Sequence, residues 1–280
     1  MLKIWINGAN GRLGKAIQNV ANPMEFEILK TDVDELDISD VEAVFSFGEI
    51  NRPDVIINCA GVTDLEECEG NIQLAFKVNA IGAKNLSVVA KDINAKMVQI
   101  STDDVFDGRG SEPYTEFDEA RPYTIYGKSK LAGENYVKEF TSRHFIIRSS
   151  WVYGEGESFV SRLLQKADDD EIISVVSDQV GSPTSATELA KFVLYIMGTH
   201  DYGTYHAACK GECSRYSFAK EILRIANKNA KIKAVPTHEA EAKDIRPEYS
   251  VLNNFILDAM GNYEFPHWRD ALTEYLKGAE

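Results

Sequence analysis

The sequence is poor in cysteine, in long apolar runs and in positive charge. Its four cysteines are irregularly spaced among 280 residues, which excludes a disulfide-stabilised secreted scaffold. No stretch reaches the roughly 20 apolar residues that a membrane helix needs, and the amino-terminal segment lacks the apolar core and cleavage site of a signal peptide. There are 30 basic and 44 acidic residues, and the resulting net charge of −14 disfavours binding to nucleic acid. We therefore expect a cytoplasmic protein with neither a membrane nor a nucleic acid as its partner.

Apolar runs of strand length alternate with helical patterns through the first half of the chain. The run at 54–58 is apolar enough to be buried on both faces of a sheet. Further strands are expected at 3–7, 25–31, 96–101 and 144–150, and helices at about 13–21, 41–50, 72–91 and 126–140. Strands separated by helices in this order predict an α/β fold, namely a Rossmann-type doubly wound parallel sheet.

Beyond residue 150 the alternation becomes irregular, which predicts a change of architecture. Helical patterns cover 159–167, 188–197 and 218–227, with short strands between them. We expect a Rossmann domain that binds NAD(P) over 1–150 and a smaller, mostly helical substrate-binding region over 151–280. A segment near 175–212 is expected to rejoin the first domain, with 203–208 as its strand.

A glycine-rich segment, Gly8-Ala9-Asn10-Gly11-Arg12-Leu13-Gly14, lies between the first strand and the first helix. The first glycine permits a tight turn, the second lets a pyrophosphate approach the backbone, and the third lets the helix pack on the strand. Free amides at the helix amino terminus then bind the phosphates. The pattern predicts a dinucleotide site, although a plain strand–turn–helix can carry the same glycines.

An aspartate at the end of the second strand supports the dinucleotide interpretation. Asp32 follows Gly14 by 18 residues, where a carboxylate can accept hydrogen bonds from the adenosine ribose. The same charge repels a 2′-phosphate, so NADH is the expected cofactor and NADPH the alternative. We favour this cofactor-binding role for Asp32. An exposed turn residue is the alternative, because Asp34, Glu35 and Asp37 lie close by.

A tyrosine and a lysine four residues apart form a candidate catalytic pair. Tyr126 and Lys130 share one face of a predicted helix, so both can reach one site. A free tyrosine has a pKa of about 10, and a neighbouring ammonium, joined by a cationic nicotinamide, is expected to lower it into the catalytic range. Ser101-Thr102 ends the strand upstream, where a hydroxyl can bind the same substrate oxygen. By itself the spacing also suits an ordinary surface helix.

The GxxGxxG spacing, together with Asn58-Cys59-Ala60-Gly61 after the third strand, resembles the extended short-chain dehydrogenase/reductase superfamily. The resemblance implies that Cys59, Ala60 and Gly61 line the path from the adenosine to the nicotinamide ribose. It implies that the carboxylate of Asp37-Ile38 meets the adenine amino group. Further cofactor contacts are implied at Val62, Thr63 and Asn79.

A longer series of motifs resembles the dTDP-4-dehydrorhamnose reductases over nearly the whole chain. The series runs Ser101-Thr102-Asp103-Asp104-Val105-Phe106-Asp107-Gly108, Tyr126-Gly127-Lys128-Ser129-Lys130-Leu131-Ala132-Gly133-Glu134, Arg148-Ser149-Ser150-Trp151-Val152-Tyr153-Gly154, Ser177-Asp178-Gln179-Val180-Gly181-Ser182-Pro183-Thr184 and Arg246-Pro247-Glu248-Tyr249-Ser250-Val251-Leu252-Asn253. The resemblance implies an NAD(P)H-dependent oxidoreductase that reduces the C4 keto group of a nucleotide sugar, dTDP-4-dehydro-6-deoxy-L-mannose, to dTDP-L-rhamnose. That product is a precursor of cell-surface polysaccharide.

The same resemblance implies a role for each candidate catalytic residue. Tyr126 donates a proton to the forming alkoxide, Lys130 binds the nicotinamide ribose and lowers the tyrosine pKa, and Thr102 orients the carbonyl. Asp103 and Trp151 match positions that contact the sugar, although a tryptophan on a strand is also a common core residue.

Arg246 is the candidate for binding the diphosphate, because a planar guanidinium pairs phosphate oxygens in a bidentate manner. A surface salt bridge is its alternative role in so acidic a protein.

Two positions depart from the family pattern. Asp104 stands where a tyrosine is usual, and Ala16 stands where some relatives carry a glutamate for a magnesium-bridged dimer. No metal site is therefore expected, and a homodimer is left open.

Two other functions are compatible with these residues. A nucleotide-sugar epimerase or dehydratase would use Tyr126 and Lys130 but would retain its cofactor through turnover. A non-catalytic regulatory subunit would bind NAD(P) and a partner enzyme. The presence of Thr102 together with Tyr126 and Lys130 argues against the regulatory function.

Overall fold

A computed structural model describes residues 1–168, 172–239 and 246–278. Its strands are β1 Leu2–Asn7, β2 Phe26–Thr31, β3 Val55–Asn58, β4 Lys96–Thr102, β5 His144–Ser149, β6 Val152–Tyr153, β7 Ile173–Val176, β8 Val180–Gly181, β9 Thr184–Ser185, β10 Gly203–His206, β11 Cys213–Ser214 and β12 Ile232–Val235. Six of them form a central sheet in the order β10-β5-β4-β3-β1-β2. Every neighbouring pair in that sheet is parallel.

The helices are α1 Arg12–Val20, α2 Val41–Asn51, α3 Leu65–Gly70, α4 Ile72–Phe76, α5 Ala83–Asp92, α6 Ile125–Phe140, α7 Phe159–Asp168, α8 Ala186–Met197, α9 Arg215–Ile225, α10 Phe255–Met260 and α11 Trp268–Lys277. A π-helical segment, Lys77–Gly82, joins α4 to α5, and short 3₁₀ turns occur at Asp103–Val105 and Thr237–Glu239. Over the described ranges, no helix is long and apolar enough to cross a membrane.

Side chains of β1 alternate between the two faces of the sheet. Ile4 and Ile6 enter a core shared with α1, α8 and α11, whereas Trp5 enters a second core shared with α2 and α5. All three are fully buried, as a strand with helices on both faces requires. The predicted doubly wound α/β fold is therefore confirmed, and strand order reverses at β1, between β2 and β3.

The carboxyl-terminal part is built from α7, α9, α10 and α11 with three two-stranded ribbons, β6–β9, β7–β12 and β8–β11. Strand β10 lies in the 203–208 segment and pairs in parallel with β5. The sequence analysis contained no helix at α3, α10 or α11. The first two have only six residues each, so a 3.6-residue period is repeated too few times to be recognised.

Candidate active site

The glycine-rich turn after β1 is closely packed. Gly8 has a φ of +71°, and a Cβ there would lie 2.6 Å from the backbone nitrogen of Ala60. A Cβ on Gly14 would lie 2.4 Å from the carbonyl oxygen of Gly8. Gly11 caps α1 without a side-chain hydrogen bond to the helix amides. The turn thus presents a bare backbone and the positive end of α1 at the switch point of the sheet.

A first cavity of about 580 Å³ opens beside this turn. Of the residues predicted to bind cofactor, it is lined by Gly8, Asn10, Gly11, Asp32, Asp37, Ile38, Cys59, Ala60, Gly61 and Val62. Its charged lining among the described residues consists of three carboxylates, Asp32, Asp37 and Glu67.

Asp32 is held at the edge of the first cavity by the backbone. Its two carboxylate oxygens accept hydrogen bonds from the amides of Asn10 and Val33, both at 2.8 Å. The Asp37 carboxylate accepts two hydrogen bonds from Ser39, and these lower its pKa. Both carboxylates are therefore fixed as acceptors facing the same space.

A second cavity of about 490 Å³ shares Gly11, Cys59, Ala60 and Gly61 with the first. It brings together the remaining predicted residues Arg12, Leu13, Thr63, Thr102, Asp103, Tyr126, Lys130, Trp151 and Arg246. Among the residues that the structure describes, five cationic side chains line it, namely Arg12, Lys130, Arg162, Arg215 and Arg246, against the carboxylates of Asp64 and Asp103. In a protein of net charge −14, this is a local positive site.

Helix α6 begins at the second cavity because Thr124 caps it. The Thr124 hydroxyl accepts a hydrogen bond from the amide of Gly127 at 2.9 Å. A Cβ on Gly127 would lie 2.0 Å from the carbonyl oxygen of Asp104, so this end of the helix packs directly on the turn after β4. Tyr126 therefore stands next to Thr102, the last residue of β4.

The electrostatics around Tyr126 are dominated by burial and by two nearby carboxylates. Burial raises the pKa of Tyr126, the carboxylates of Asp104 and Asp103 raise it further, and a hydrogen bond with Thr102 lowers it. The lowering of this pKa by Lys130 together with a cationic nicotinamide stays a prediction. A raised pKa keeps the phenol protonated at neutral pH, which is the form that a proton donor needs.

Lys130 lies one turn further along α6 and is buried. Its Nζ donates a hydrogen bond to the carbonyl oxygen of Ile100 at 2.6 Å. Burial lowers the pKa of Lys130 to about 8, and the carboxylate of Glu134 opposes that change. The ammonium is thus anchored on β4 and titrates close to neutral pH.

Thr102 and Asp103 form a buried polar pair at the end of β4. The Thr102 hydroxyl donates to Oδ1 of Asp103 at 3.1 Å, and the Ser150 hydroxyl donates to Oδ2 at 2.8 Å. The carboxylate of Asp103 is therefore held by hydroxyls from β4 and from the residue after β5. This ties together the two strand ends that lie under the second cavity.

Two predicted residues, Gly14 and Asn79, lie one layer behind the cavities. Gly14 permits the contact between α1 and the turn after β1. The Asn79 side chain accepts from the amide of Val62 and donates to its carbonyl and to the Ser129 hydroxyl, each at 2.9 Å. Asn79 thus fixes the loop after β3 to α6.

Trp151 and Arg246 both line the second cavity, but their contacts refine their predicted roles. Trp151 has a φ of +46° and packs with its ring against Gly181, where a Cβ would lie 2.5 Å from the ring. Nη1 of Arg246 lies 4.0 Å from Oδ2 of the buried Asp104. Arg246 thus lies within ion-pair distance of a buried carboxylate, and its role in binding the diphosphate stays a prediction.

Sequence reasoning missed the arginines Arg162 and Arg215, which reach the second cavity from α7 and α9. It also missed a buried pair behind Lys130, in which Arg148 donates two hydrogen bonds to Glu134 at 2.9 and 2.7 Å. Arg162 and Arg215 stand in no motif, and only the packing of the carboxyl-terminal helices brings them to the strand ends. Glu134 and Arg148 lie in two of the sequence motifs given above, but no spacing rule predicts that these two residues pair.

Comparison with known proteins identifies the family. A family model described as the RmlD substrate binding domain matches residues 2–280. The spore coat polysaccharide biosynthesis protein SpsK of Bacillus subtilis is 39% identical over 279 residues, which are 99% of this chain and 98% of that protein.

Two solved structures resemble the chain over its length. A dTDP-4-dehydrorhamnose reductase from Clostridium acetobutylicum superposes with a TM-score of 0.97 and 44% identity, and 99% of each chain is covered. The dTDP-4-dehydrorhamnose reductase from Bacillus anthracis, in complex with NADP, superposes with a TM-score of 0.96 and 40% sequence identity. The superposition covers 100% of both chains. On this evidence the chain belongs to the family of the dTDP-4-dehydrorhamnose reductases.

Proposed function

We propose that the protein reduces the C4 keto group of dTDP-4-dehydro-6-deoxy-L-mannose and so forms dTDP-L-rhamnose, a polysaccharide precursor. The observation that carries this proposal is the meeting of Tyr126, Thr102 and Lys130 in one cation-lined cavity that shares a wall with the cavity beside the glycine-rich turn. The substrate is the one that the names of the Clostridium and Bacillus relatives specify.

The residues of the first cavity fit a nicotinamide dinucleotide. A Cβ at Gly8 or Gly14 would overlap neighbouring backbone, so these positions keep the turn thin enough for a pyrophosphate to approach. The backbone amides of Gly11, Arg12 and Leu13 would hold the pyrophosphate, and Asp32, Asp37 and Ile38 would hold the adenosine. When bound, the reduced cofactor supplies the hydride. The two cavities are connected by the segment that follows β3, namely Cys59, Ala60, Gly61, Val62 and Thr63.

The second cavity supplies the proton and the orientation of the carbonyl. Tyr126 carries the proton because burial and the neighbouring carboxylates keep its phenol neutral. Thr102 offers a hydroxyl beside that phenol, so a carbonyl oxygen can be held between the two groups. Lys130, anchored on Ile100, provides a fixed ammonium for the nicotinamide ribose.

Asp32 favours NADH over NADPH in this proposal. Its carboxylate is fixed by two backbone amides at the rim of a cavity whose charged lining, among described residues, is entirely acidic. A 2′-phosphate there would face like charges. Arg12 faces the second cavity and donates to the carbonyl of Val152 at 3.0 Å, so its charge is directed elsewhere.

We also propose that two parts of the chain bind different ligands. Residues 1–150, with the strand β10, form the cofactor-binding part, and the remainder of 151–280 supplies Trp151 and three arginines to the substrate cavity. We propose a cytoplasmic location, which the free and irregularly spaced cysteines support.

The experiment that tests the proposal is NADH oxidation with dTDP-4-dehydro-6-deoxy-glucose in the presence and absence of a 3,5-epimerase. We expect loss of NADH absorbance that depends on the epimerase. Absence of NADH oxidation in a protein that binds NADH would refute the reductase. Tightly held NAD with interconversion of the sugar, but no net oxidation, would instead identify an epimerase.

A further inference from the structure

A buried carboxylate lies one helical turn behind Lys130. Glu134 follows Lys130 by four residues on α6, so the two side chains leave the same face of the helix. Glu134 is fully buried and lines neither cavity, so it lies too deep to touch a cofactor or a sugar. A buried charge of this kind is costly and is retained only with well-placed partners.

Hydrogen bonds fix the Glu134 carboxylate between β4 and β5. The Ser101 hydroxyl donates to Oε1 at 2.6 Å, and Arg148 donates to both oxygens, at 2.9 Å from Nε and 2.7 Å from Nη2. Arg148 is itself buried, and its Cζ lies 5.3 Å from the ring centroid of Phe106. Each of these partners is therefore held in place, and the carboxylate is held with them.

Two adjacent residues of β4 receive the two side chains of α6. Lys130 donates through Nζ to the carbonyl oxygen of Ile100 at 2.6 Å, and Glu134 accepts from the hydroxyl of the next residue, Ser101. Ser101 also lines the second cavity, immediately before Thr102. The position of the ammonium is thus coupled to the position of the carboxylate through neighbouring residues of one strand.

Charge couples the two side chains as well. Burial tends to raise the pKa of Glu134, but the hydrogen bonds and the charge of Arg148, with those of Ser101 and Lys138, bring it below its usual value. Glu134 is therefore a carboxylate at neutral pH. Burial lowers the pKa of Lys130, and the charge of this carboxylate opposes that change.

The other titratable groups near Lys130 come from separate elements. The thiols of Cys59, after β3, and Cys68, on α3, face it, but burial raises their pKa values to about 12 and about 11, so both are neutral near pH 8. Two carboxylates of the turn after β4, whose charges act on Tyr126, also pack against this end of α6, namely Asp103 and Asp104. Among the described residues, Glu134 thus supplies the negative charge that acts on Lys130 near pH 8.

We propose that Glu134 is a positioning residue for the reaction, and that its carboxylate sets both the place and the charge of Lys130 from behind the cavity wall. The inference rests on the proposed function, in which Lys130 binds the nicotinamide ribose. Glu134 itself touches neither ligand and takes no part in proton transfer. Without this carboxylate the amine of Lys130 would lie in a buried site that disfavours its charge, so it would lose its proton at a lower pH.

The test measures NADH binding from pH 6 to pH 9 in wild type, Glu134→Gln, Ser101→Ala and the control Glu139→Gln. Glu139 is exposed on α6, so the control removes the same charge from the same helix without touching the buried pair. In Glu134→Gln we expect the midpoint of the pH dependence to fall by about one pH unit. NADH affinity should then be about fivefold below wild type at pH 8 and within about twofold of it at pH 6. The control should match wild type throughout.

The alanine variant tests the placement of Lys130 separately from its charge. Ser101→Ala removes the link between β4 and the carboxylate but keeps the ion pair with Arg148, so it also tests the inference if Glu134→Gln is too unstable to purify. We expect NADH affinity to fall about three- to tenfold, equally at pH 6 and pH 8, with an unchanged midpoint.

Three results would overturn the inference. They are an unchanged midpoint in Glu134→Gln, an equal loss of affinity at pH 6 and pH 8 in that variant, and wild-type affinity in Ser101→Ala. Because NADH binding is measured without a sugar, these results are independent of turnover. Failure of wild type to reduce the sugar would refute the proposed function instead, so the two failures are distinguishable.

Discussion

The two cavities of the site differ in charge although they share a wall. Among the described residues, the first is lined by three carboxylates and no cation, whereas the second is lined by five cations and two carboxylates. The first cavity suits the end of a dinucleotide that is rich in hydroxyl groups. The second cavity suits a substrate that is rich in phosphate. The net charge of −14 does not predict the charge of either cavity, because positive charge is concentrated where anions would bind.

The largest effect should come from the second cavity alone. Replacing Tyr126 by phenylalanine removes the proton donor and should reduce turnover about 10²–10⁴-fold, the usual contribution of general acid catalysis. NADH affinity should not change, because the first cavity is untouched. Steady-state kinetics and NADH titration measure both, with Tyr136→Phe on the same helix as the control. Turnover close to wild type would show that the donor is assigned wrongly.

Lys130 stands between the cavities, so its replacement should affect both functions. Lys130→Met should weaken NADH binding about 10- to 100-fold, because a charged hydrogen-bond donor to the ribose is lost. Turnover should fall as well. Fluorescence titration with NADH provides the measurement, and Lys128→Met, an exposed neighbour on α6, is the matched control. If NADH affinity is retained, Lys130 has only an electrostatic role.

Asp32 should act on the first cavity alone. Asp32→Ser removes a ribose acceptor and a charge that repels a 2′-phosphate, so the NADH-to-NADPH ratio of kcat/KM should fall about tenfold. Asp34→Ser, in the same turn and outside the cavity lining, should leave the ratio unchanged. A wild-type preference for NADPH, or an unchanged ratio in Asp32→Ser, would mean that Asp32 is a turn residue.

The smallest expected effect is a pH dependence of cofactor binding. The pKa of Lys130 is lowered to about 8, and only its protonated form is an ammonium. NADH affinity should therefore be highest below pH 8 and should fall as the pH rises through this value, by at most about tenfold between pH 7 and 9. In Lys130→Met the affinity should be flat over the same range. A fall of the same size in the variant would assign the titration to another group.

Much of the fold follows from local patterns. The strands β1, β3 and β4 are within two residues of their predicted positions, because buried parallel strands are short continuous apolar runs. The helix α11 is missing from the sequence analysis although it spans ten residues. It buries Trp268 and Leu272 against distant elements, so its place depends on tertiary packing.

The candidate site could be predicted only where its residues belong to contiguous motifs. Gly8, Asp32, Tyr126 and Lys130 were named because spacing along one strand or helix brings them to one edge of the sheet. Arg215 could not be found this way, since α9 reaches the cavity through packing distant in sequence. The raised pKa of Tyr126 in the protein alone could not be predicted from a motif either. It depends on the burial and the carboxylates that the fold places around the phenol.

The central claim is that this chain delivers hydride and proton to the C4 carbonyl of a dTDP-linked 4-keto sugar. Its most direct test uses NADH with deuterium at both hydrogen positions of nicotinamide C4, with dTDP-4-dehydro-6-deoxy-glucose and a 3,5-epimerase, and locates the label in the product by NMR. We predict one deuterium at C4 of a dTDP-rhamnose product for each NADH consumed. An unlabelled product, or sugar conversion without consumption of NADH, would contradict the account.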